Sequence, residues 1–380
     1  MVLRVHILSD KWSSQNTRAF LYPLIRHAPK IRKKGASINF FYDVNDPGLV
    51  DCDVLALNSN YWRGSWRQDD PSALEKIAKI AAKAPATIYF DRSSGPANLD
   101  PELFPLVEMY CKSSLLKDRQ LYLRPLYGQR QFTDYYHREF GVEDTVVTRS
   151  RPLSNEADLE KLRLGWNTGL ANYSVFGPKL VNMYRRIPAR LWMLPTPHFA
   201  DPGASRTVPV SCRMNIEYDY ETLSYQRRRL SEMLANFKRT GRIGKLAYVR
   251  ELAHSKVVAS PFGSSEINYK DFEVFITGGA LLKPDMSHIE TFPDLFEDGV
   301  TYFSHAWDFK DLENKLQTIL ADDDSRIEVA RAGQARYRKA VATNEGGEAF
   351  VDRFVALVRE ASAIAQPQRS TNFNAKQGKR

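Results

Sequence analysis

The chain has 380 residues, more than one ordinary core accommodates, so two domains are expected. With 43% apolar and 26% charged residues it has a globular balance, which excludes a fibrous or wholly disordered chain. The formal charge is +9, but Arg369, Lys376, Lys379 and Arg380 sit in an acid-free tail; the modest remainder suits a phosphate-bearing ligand and is weak evidence for nucleic acid.

Cys52, Cys111 and Cys212 are few, odd in number and widely spaced. That pattern argues against a disulfide framework or zinc site and for a reducing compartment, the cytoplasm. The start, MVLRVHILSDKW, reads as a first strand and not as a signal peptide. No stretch approaches the roughly 18 apolar residues that span a bilayer. The expectation is a soluble protein, or one attached peripherally at the inner face of a membrane.

In chain order, Leu3–Leu8 predicts a strand. Ser14 or Asn16 can cap a helix over Thr17–Lys33, which Gly35 ends. Ser37–Tyr42 and Asp53–Leu57 predict strands, Pro71–Lys83 a helix and Thr87–Phe90 a strand ending at Asp91. Short apolar runs alternating with helical spacing argue for βαβ units and a parallel sheet. Residues 100–200 are less regular, with a tyrosine-rich stretch and an amphipathic segment near Phe176–Arg186. Pro188, Pro195, Pro197, Pro202 and Gly203 then mark a linker, with the boundary near 195–206.

The alternation restarts with strand Thr207–Cys212 and helix Tyr220–Lys238. A short helix Tyr248–Ala253, strand Lys256–Ser260, helix Asp271–Thr277 and strands Ala280–Lys283 and Thr301–Phe303 follow. Helices over Asp308–Leu320, Asp324–Ala342 and Gly346–Ala365 close the pattern, and a basic tail over 366–380 is expected to be disordered. The chain thus reads as a 1–200 Rossmann-like domain, a 206–345 Rossmann-like domain, a 346–365 helix able to pack back on the first domain, and a tail. In open parallel sheets ligands bind beyond the carboxyl ends of the strands, so the loops after Leu8, Leu57, Phe90, Cys212, Ser260 and Lys283 are the places for chemistry.

The richest stretch is Ser260–Asp285, SPFGSSEINYKDFEVFITGGALLKPD. A strand meets a small-residue turn, then Glu266, then a helix with Glu273, then Gly-Gly and a second strand. Small residues let backbone N–H groups approach a ligand, and a helix N-terminus offers those donors to a diphosphate. A carboxylate on the helix can accept both ribose hydroxyls. Glu266 and Glu273 are seven apart, which two helical turns would place on one face.

In S-P-F-G-x-x-E-I-x-Y-x-D-F-E-x-F followed by G-x-L-L-x-P-D, and in the preceding YVRELAHSK, the sequence resembles GT-B glycosyltransferases with a group-1 type C-terminal domain, in the exostosin-like and spore-coat glycosyltransferase-like branch. The resemblance covers roughly 207–345, and the first half only in architecture. It implies two Rossmann-like domains whose parallel sheets face each other across a cleft. The second domain would hold a nucleotide-sugar donor and the first a glycan, lipid-linked or small-molecule acceptor. It implies neither a cofactor nor a metal, since basic side chains and a helix N-terminus would stabilise the leaving diphosphate. Glu273 would hold the ribose and Glu266 the donor sugar. The commoner family spacing is eight, however, and eight back from Glu273 stands Ser265.

Within that frame Ser260, Phe262, Gly263, Ser264 and Tyr269 belong to the donor loop and helix. Arg213, Arg228 or its neighbour Arg227, and Lys283 are candidate phosphate cations, arginine's planar fork being suited to the task. Asp91 and Asp10, at strand ends of the first domain, are candidate general bases for an inverting reaction, with Arg92 beside them. The glutamate pair is more typical of retaining members, which favours retention. His288 follows the ligand-side loop, and Trp62 and Trp66 could stack on a sugar or plug a core.

Bland readings compete with each of these. Arg227–Arg229 and the basic run Arg26–Gly35 are ordinarily solvated helix faces, though the latter also suits a membrane surface. Two other functions fit the pattern less well. A GT-B sugar-nucleotide epimerase would need no acceptor, and a nucleic-acid-binding or -modifying protein would show a recognisable binding motif, which this sequence lacks.

Overall fold

The computed structural model describes residues 2–11, 14–62, 72–171, 173, 197–236, 238–239, 241 and 243–377. Trp66, the segment near Phe176–Arg186, Pro188 and Pro195 fall outside these residues.

The first half runs β1 (Leu3–Leu8), α1 (Gln15–Lys33), β2 (Ala36–Phe41), β3 (Val54–Asn58), α2 (Ser72–Ala81), β4 (Thr87–Asp91), β5 (Met109–Lys112), β6 (Ser114–Leu116), α3 (Gln131–Phe140) and β7 (Leu162–Leu164). Six of these strands form a parallel sheet in the order β2-β1-β3-β4-β5-β7. Every residue of β3 and β4 is buried, as expected of strands covered on both faces. Ser14 is the residue that caps α1, accepting from the Thr17 amide at 3.1 Å. The irregular middle contains three further strands and α3, more order than its sequence suggests.

The second half runs β8 (Val208–Ser211), α4 (Glu221–Met233), β9 (Lys238–Arg239), α5 (Lys245–His254), β10 (Ser255–Ala259), α6 (Tyr269–Thr277), β11 (Ala280–Pro284), β12 (Ile289–Thr291), β13 (Phe303–His305), α7 (Leu312–Ala321), α8 (Asp323–Ala342) and α9 (Asn344–Gln377). Five strands form a second parallel sheet, β13-β11-β10-β8-β9. The last strand lies at Phe303–His305, two residues beyond the expected start, because Thr301 turns its hydroxyl to the Leu295 carbonyl. Gly278 closes α6 with a φ of 73°; a Cβ there would meet the Ala200 carbonyl at 2.8 Å. Helix α9 continues to Gln377 instead of ending at Ala365.

Several ties among the described residues join the two halves. Strands β6 and β12 pair antiparallel, Ile289 opposite Leu116. Helix α3 leaves the first half to pack on α4: Phe132 meets Phe262 and the Tyr136 hydroxyl donates to the Trp307 carbonyl at 3.0 Å. Helix α9 returns to the first sheet against α1, β3 and β4, setting Phe350 edge-on to Trp166, which stacks on Phe20. The fold is a pair of Rossmann-like α/β domains facing each other, the GT-B arrangement.

Candidate active site

A cleft of about 300 Å³ opens between the carboxyl ends of the two sheets. The first domain contributes Asn16 from α1, Arg92–Ser94 after β4, Ser113 and Ser114 at β6, and Asn167 and Thr168. The second contributes Tyr218, Arg227, Gly263–Ser265 and Ile267–Tyr269. None of these lining residues is acidic.

Two helix N-termini converge here, from opposite domains. Asn16 lies in the first turn of α1, and Tyr269 is the first residue of α6. The Tyr269 hydroxyl donates to Asn16 Oδ1 across the gap. Each terminus carries a partial positive charge from its aligned peptides. Helix α6 starts where it does because Asn268 and Asp271 form a capping box, the Asn268 amide donating to Asp271 at 2.9 Å.

Arg92 and Arg227 bring full charges from either side. Arg92 donates to the Trp166 carbonyl at 2.8 Å, and its buried Nε has no hydrogen-bond partner. Arg227 donates to the Phe262 carbonyl at 2.9 Å and the Asn215 carbonyl at 2.8 Å, and lies 4.7 Å from the Tyr218 ring centroid. Burial lowers the pKa of both guanidinium groups. Their hydrogen bonds go to neutral carbonyls, so their charge stays uncompensated by these contacts.

Of the residues singled out from sequence, Gly263, Ser264 and Tyr269 line the cleft. Ser260 and Phe262 lie directly beneath: the Ser260 hydroxyl donates to Asp271 at 2.6 Å, and Phe262 packs with its carbonyl on Arg227. Arg228 is turned away, paired with Glu221 and Glu217, and its neighbour Arg227 faces the cleft. Lys283 is fully buried and pairs with Asp271 at 3.1 Å, supporting the strand ends instead of reaching the surface. Burial lowers its pKa, against the raising effect of Asp271.

Arg213 is bound by Glu251, Nε at 3.0 Å and Nη2 at 2.6 Å, and the hydrogen bond raises its pKa. Glu273 is held by Lys245 and by the Tyr248 hydroxyl at 2.9 Å. Glu266 precedes α6 and is not on the helix, so the two glutamates do not share a helical face; the Asn268 cap starts the helix after it. Its carboxylate is fully buried, without a hydrogen-bond partner, 3.7 Å from His288 Nε2.

Asp91 lies at the floor of the first domain's half. It accepts from Lys112 Nζ at 2.7 Å and Tyr110 at 2.8 Å. Burial alone would raise its pKa, but Lys112 and Ser93 outweigh that and hold it below the usual range. Asp10 accepts from the Thr17 hydroxyl at 2.5 Å. Trp62 is buried beside Tyr61. Sequence reasoning missed Asn167, Thr168, Ser113, Ser114 and Tyr218, which carry no local signal and meet only through the tertiary fold.

Residues 202–346 match the model of a family described as glycosyl transferase-like. The second domain is glycosyltransferase-like. Among solved structures the whole chain is similar to Anabaena HepE in complex with UDP and glucose, at 10% identity, a TM-score of 0.45, and coverage of 94% of this chain and 99% of that one. It is similar to a glycosyltransferase from Rickettsia africae at 8% identity, a TM-score of 0.44, and coverage of 95% and 98%. It is also similar to an alpha-glucosyltransferase in complex with UDP-glucose and DNA containing an abasic site, at 8% identity, a TM-score of 0.44, and coverage of 94% and 100%. No curated protein sequence matches the chain. Among the described residues, no helix is long and apolar enough to cross a membrane.

Proposed function

We propose that the chain transfers a glycosyl group from a nucleotide-sugar donor to an acceptor hydroxyl in the cleft between its domains. The observation that carries this reading is a cleft whose described lining holds no acidic residue but two buried arginines and two opposed helix N-termini. That combination suits a diphosphate. As the bond between sugar C1 and the phosphate oxygen breaks, the electron pair passes to the diphosphate. Arg92, Arg227 and the helix termini are already oriented to receive that charge without a metal ion.

Glu273, held by Lys245 and Tyr248, is the proposed ribose acceptor. The acceptor substrate, a glycan, lipid-linked or small hydroxyl compound, approaches along Ser93, Ser94, Ser113 and Asn167. The described lining offers no carboxylate as general base, and Asp91 is engaged by Lys112 and Tyr110. This favours transfer with retention, in which the departing phosphate oxygen takes the acceptor's proton on the face where the leaving group departs. An inverting route would use Asp10.

The test is calorimetry with UDP-, GDP-, ADP- and CMP-sugars. One nucleotide class is expected to bind, with Glu273→Ala weakening it. No binding by any of them, or identical binding by the variant, removes the reading. Altered donor formed without acceptor would replace transfer by epimerisation.

A further inference from the structure

Arg92 is 8% exposed, yet among the described residues its guanidinium makes a single hydrogen bond, from Nη1 to the Trp166 carbonyl at 2.8 Å. Its buried Nε has no partner. That is far below what a guanidinium can donate, and a buried charge so sparsely matched is costly. The side chain lies over the Phe20 ring, 5.6 Å from its centroid, which compensates only in part. The neighbouring carboxylate does not answer it, because Asp91 is taken by Lys112 at 2.7 Å and Tyr110 at 2.8 Å. Such a group calls for an anionic occupant.

The wall around Arg92 fits that occupant. Every other described lining residue from the first domain is a serine, a threonine or an asparagine. No acid there repels an anion, and no apolar side chain there receives a lipid tail. Asn16 Oδ1 accepts from Tyr269, which leaves the Nδ2 hydrogens for a ligand. Asn16 also lies in the first turn of α1, which holds no acidic residue. Arg227 stands on the opposite wall, fixed by the Phe262 and Asn215 carbonyls beside the Gly263–Ser265 turn. The diphosphate thus has a cation on the donor's own side. Arg92 adds its charge across the gap, while its spare donors belong to the wall along which the acceptor approaches.

Resting on the glycosyl-transfer reading, we propose that the acceptor is an anionic polyol whose phosphate or carboxylate oxygens bind Arg92 and Asn16. The planar guanidinium takes two oxygens of either group at once. Serine and threonine hydroxyls meet the polyol's own hydroxyls, donating or accepting as each requires. The bound oxyanion fixes which acceptor hydroxyl lies nearest the donor, so Arg92 is a specificity residue for the acceptor. A neutral glycan lacks the group that Arg92 needs.

The experiment titrates acceptors by calorimetry into protein saturated with the nucleoside diphosphate it binds, UDP or GDP. Glucose is compared with glucose 6-phosphate and with glucuronate, and glycerol with glycerol 3-phosphate. In wild type an anionic probe is expected to bind about tenfold or more tightly than its neutral parent, an advantage that shrinks at high salt. A lead by the phosphate esters identifies phosphate as the group, and a lead by glucuronate identifies carboxylate. Arg92→Gln should bring the anionic probe to within about twofold of its parent. Asn16→Asp keeps the shape and an oxygen for Tyr269 while adding a negative charge to the wall. It should cost the anionic probe about tenfold and the neutral parent less than about twofold, and it decides the matter if thermal melts show Arg92→Gln unfolded. Anionic probes that bind no better than their parents, or an advantage that survives both substitutions, overturn the proposal and leave the transferase reading standing. Failure of wild type to bind any nucleoside diphosphate or its sugar removes both.

Discussion

Lys245, in the first turn of α5, pairs with the carboxylate of Glu273 in the second turn of α6. Tyr248 completes the grip from one turn further along, at 2.9 Å. Burial, and then the Glu273 charge, raise the Tyr248 pKa, so the phenol stays a donor. Glu273 is thereby fixed in place before any ligand arrives. Glu273→Ala is expected to weaken nucleoside diphosphate binding by about tenfold or more, in line with ~1.5–3 kcal/mol for a charged hydrogen bond. Calorimetry checks this, and unchanged affinity would sink the ribose role.

Arg227 tests the proposed diphosphate site. Its guanidinium spans the Phe262 and Asn215 carbonyls at once, which an ammonium cannot reproduce. Arg227→Lys keeps the charge but releases the Gly263–Ser265 turn. The expected loss in diphosphate affinity is about tenfold, while Arg228→Lys, whose partners are Glu221 and Glu217, stays near wild type. Equal losses in the two variants would show that charge alone matters.

The Asp91–Lys112 pair is fully buried at 2.7 Å, with Lys112 also donating to Ser93 at 3.1 Å and the Asn98 carbonyl at 2.5 Å. Lys112→Met leaves the carboxylate buried and unpaired. A loss of about 3–5 kcal/mol is expected by urea unfolding. A loss below ~1 kcal/mol would mean that water reaches Asp91.

Asp100 carries a pH signature. Burial, then the charge of Asp91, push its pKa up from 3.8 to about 7. Between those values the native state keeps a proton that the unfolded chain has released, so this group's contribution falls as pH rises through the window. His27 and His305, held down to about 4 by burial, act in the opposite sense below 6.5. The comparison is therefore made between proteins at each pH. The Tm of Asp100→Asn relative to wild type should rise from pH 5 to pH 8, and a constant gap would refute the shift.

Asp144 caps a helix that it does not belong to. Its Oδ1 accepts from the Thr222 amide at 2.8 Å and the Thr222 hydroxyl at 2.9 Å, in the first turn of α4. Asp144→Ala is expected to cost about 1–2 kcal/mol in urea unfolding, with the denaturant slope unchanged. A stability equal to wild type would rule out the cap.

Much of the frame was legible because buried parallel strands are written as short apolar runs. LRVHIL, DVLAL and ALLK each lie within a residue or two of the strand found. Strand β5 escaped because MYCK ends in Lys112, whose charge makes sense only beside Asp91, 21 residues earlier. The cleft-lining turn was legible from SPFGSS, but Glu266 was read onto a helix that the Asn268 cap starts later. The choice of Arg227 over Arg228 depends on about 100° of helix rotation, which no composition rule supplies. Asn167 could not be found at all: its side-chain amide donates to Thr291 at 2.8 Å and the Pro293 carbonyl at 3.0 Å, over a hundred residues away.

The return of α9 to the first sheet has a bearing on biosynthesis. Phe350 and Phe354 complete the aromatic cluster around Trp166, so the amino-terminal core lacks a wall until the carboxyl-terminal segment has been made. A nascent chain emerging from the ribosome therefore cannot finish its first half and then its second. Closure of that core waits for the segment that carries Phe350 and Phe354, and truncation ahead of Phe350 would leave an open apolar surface for chaperones to find.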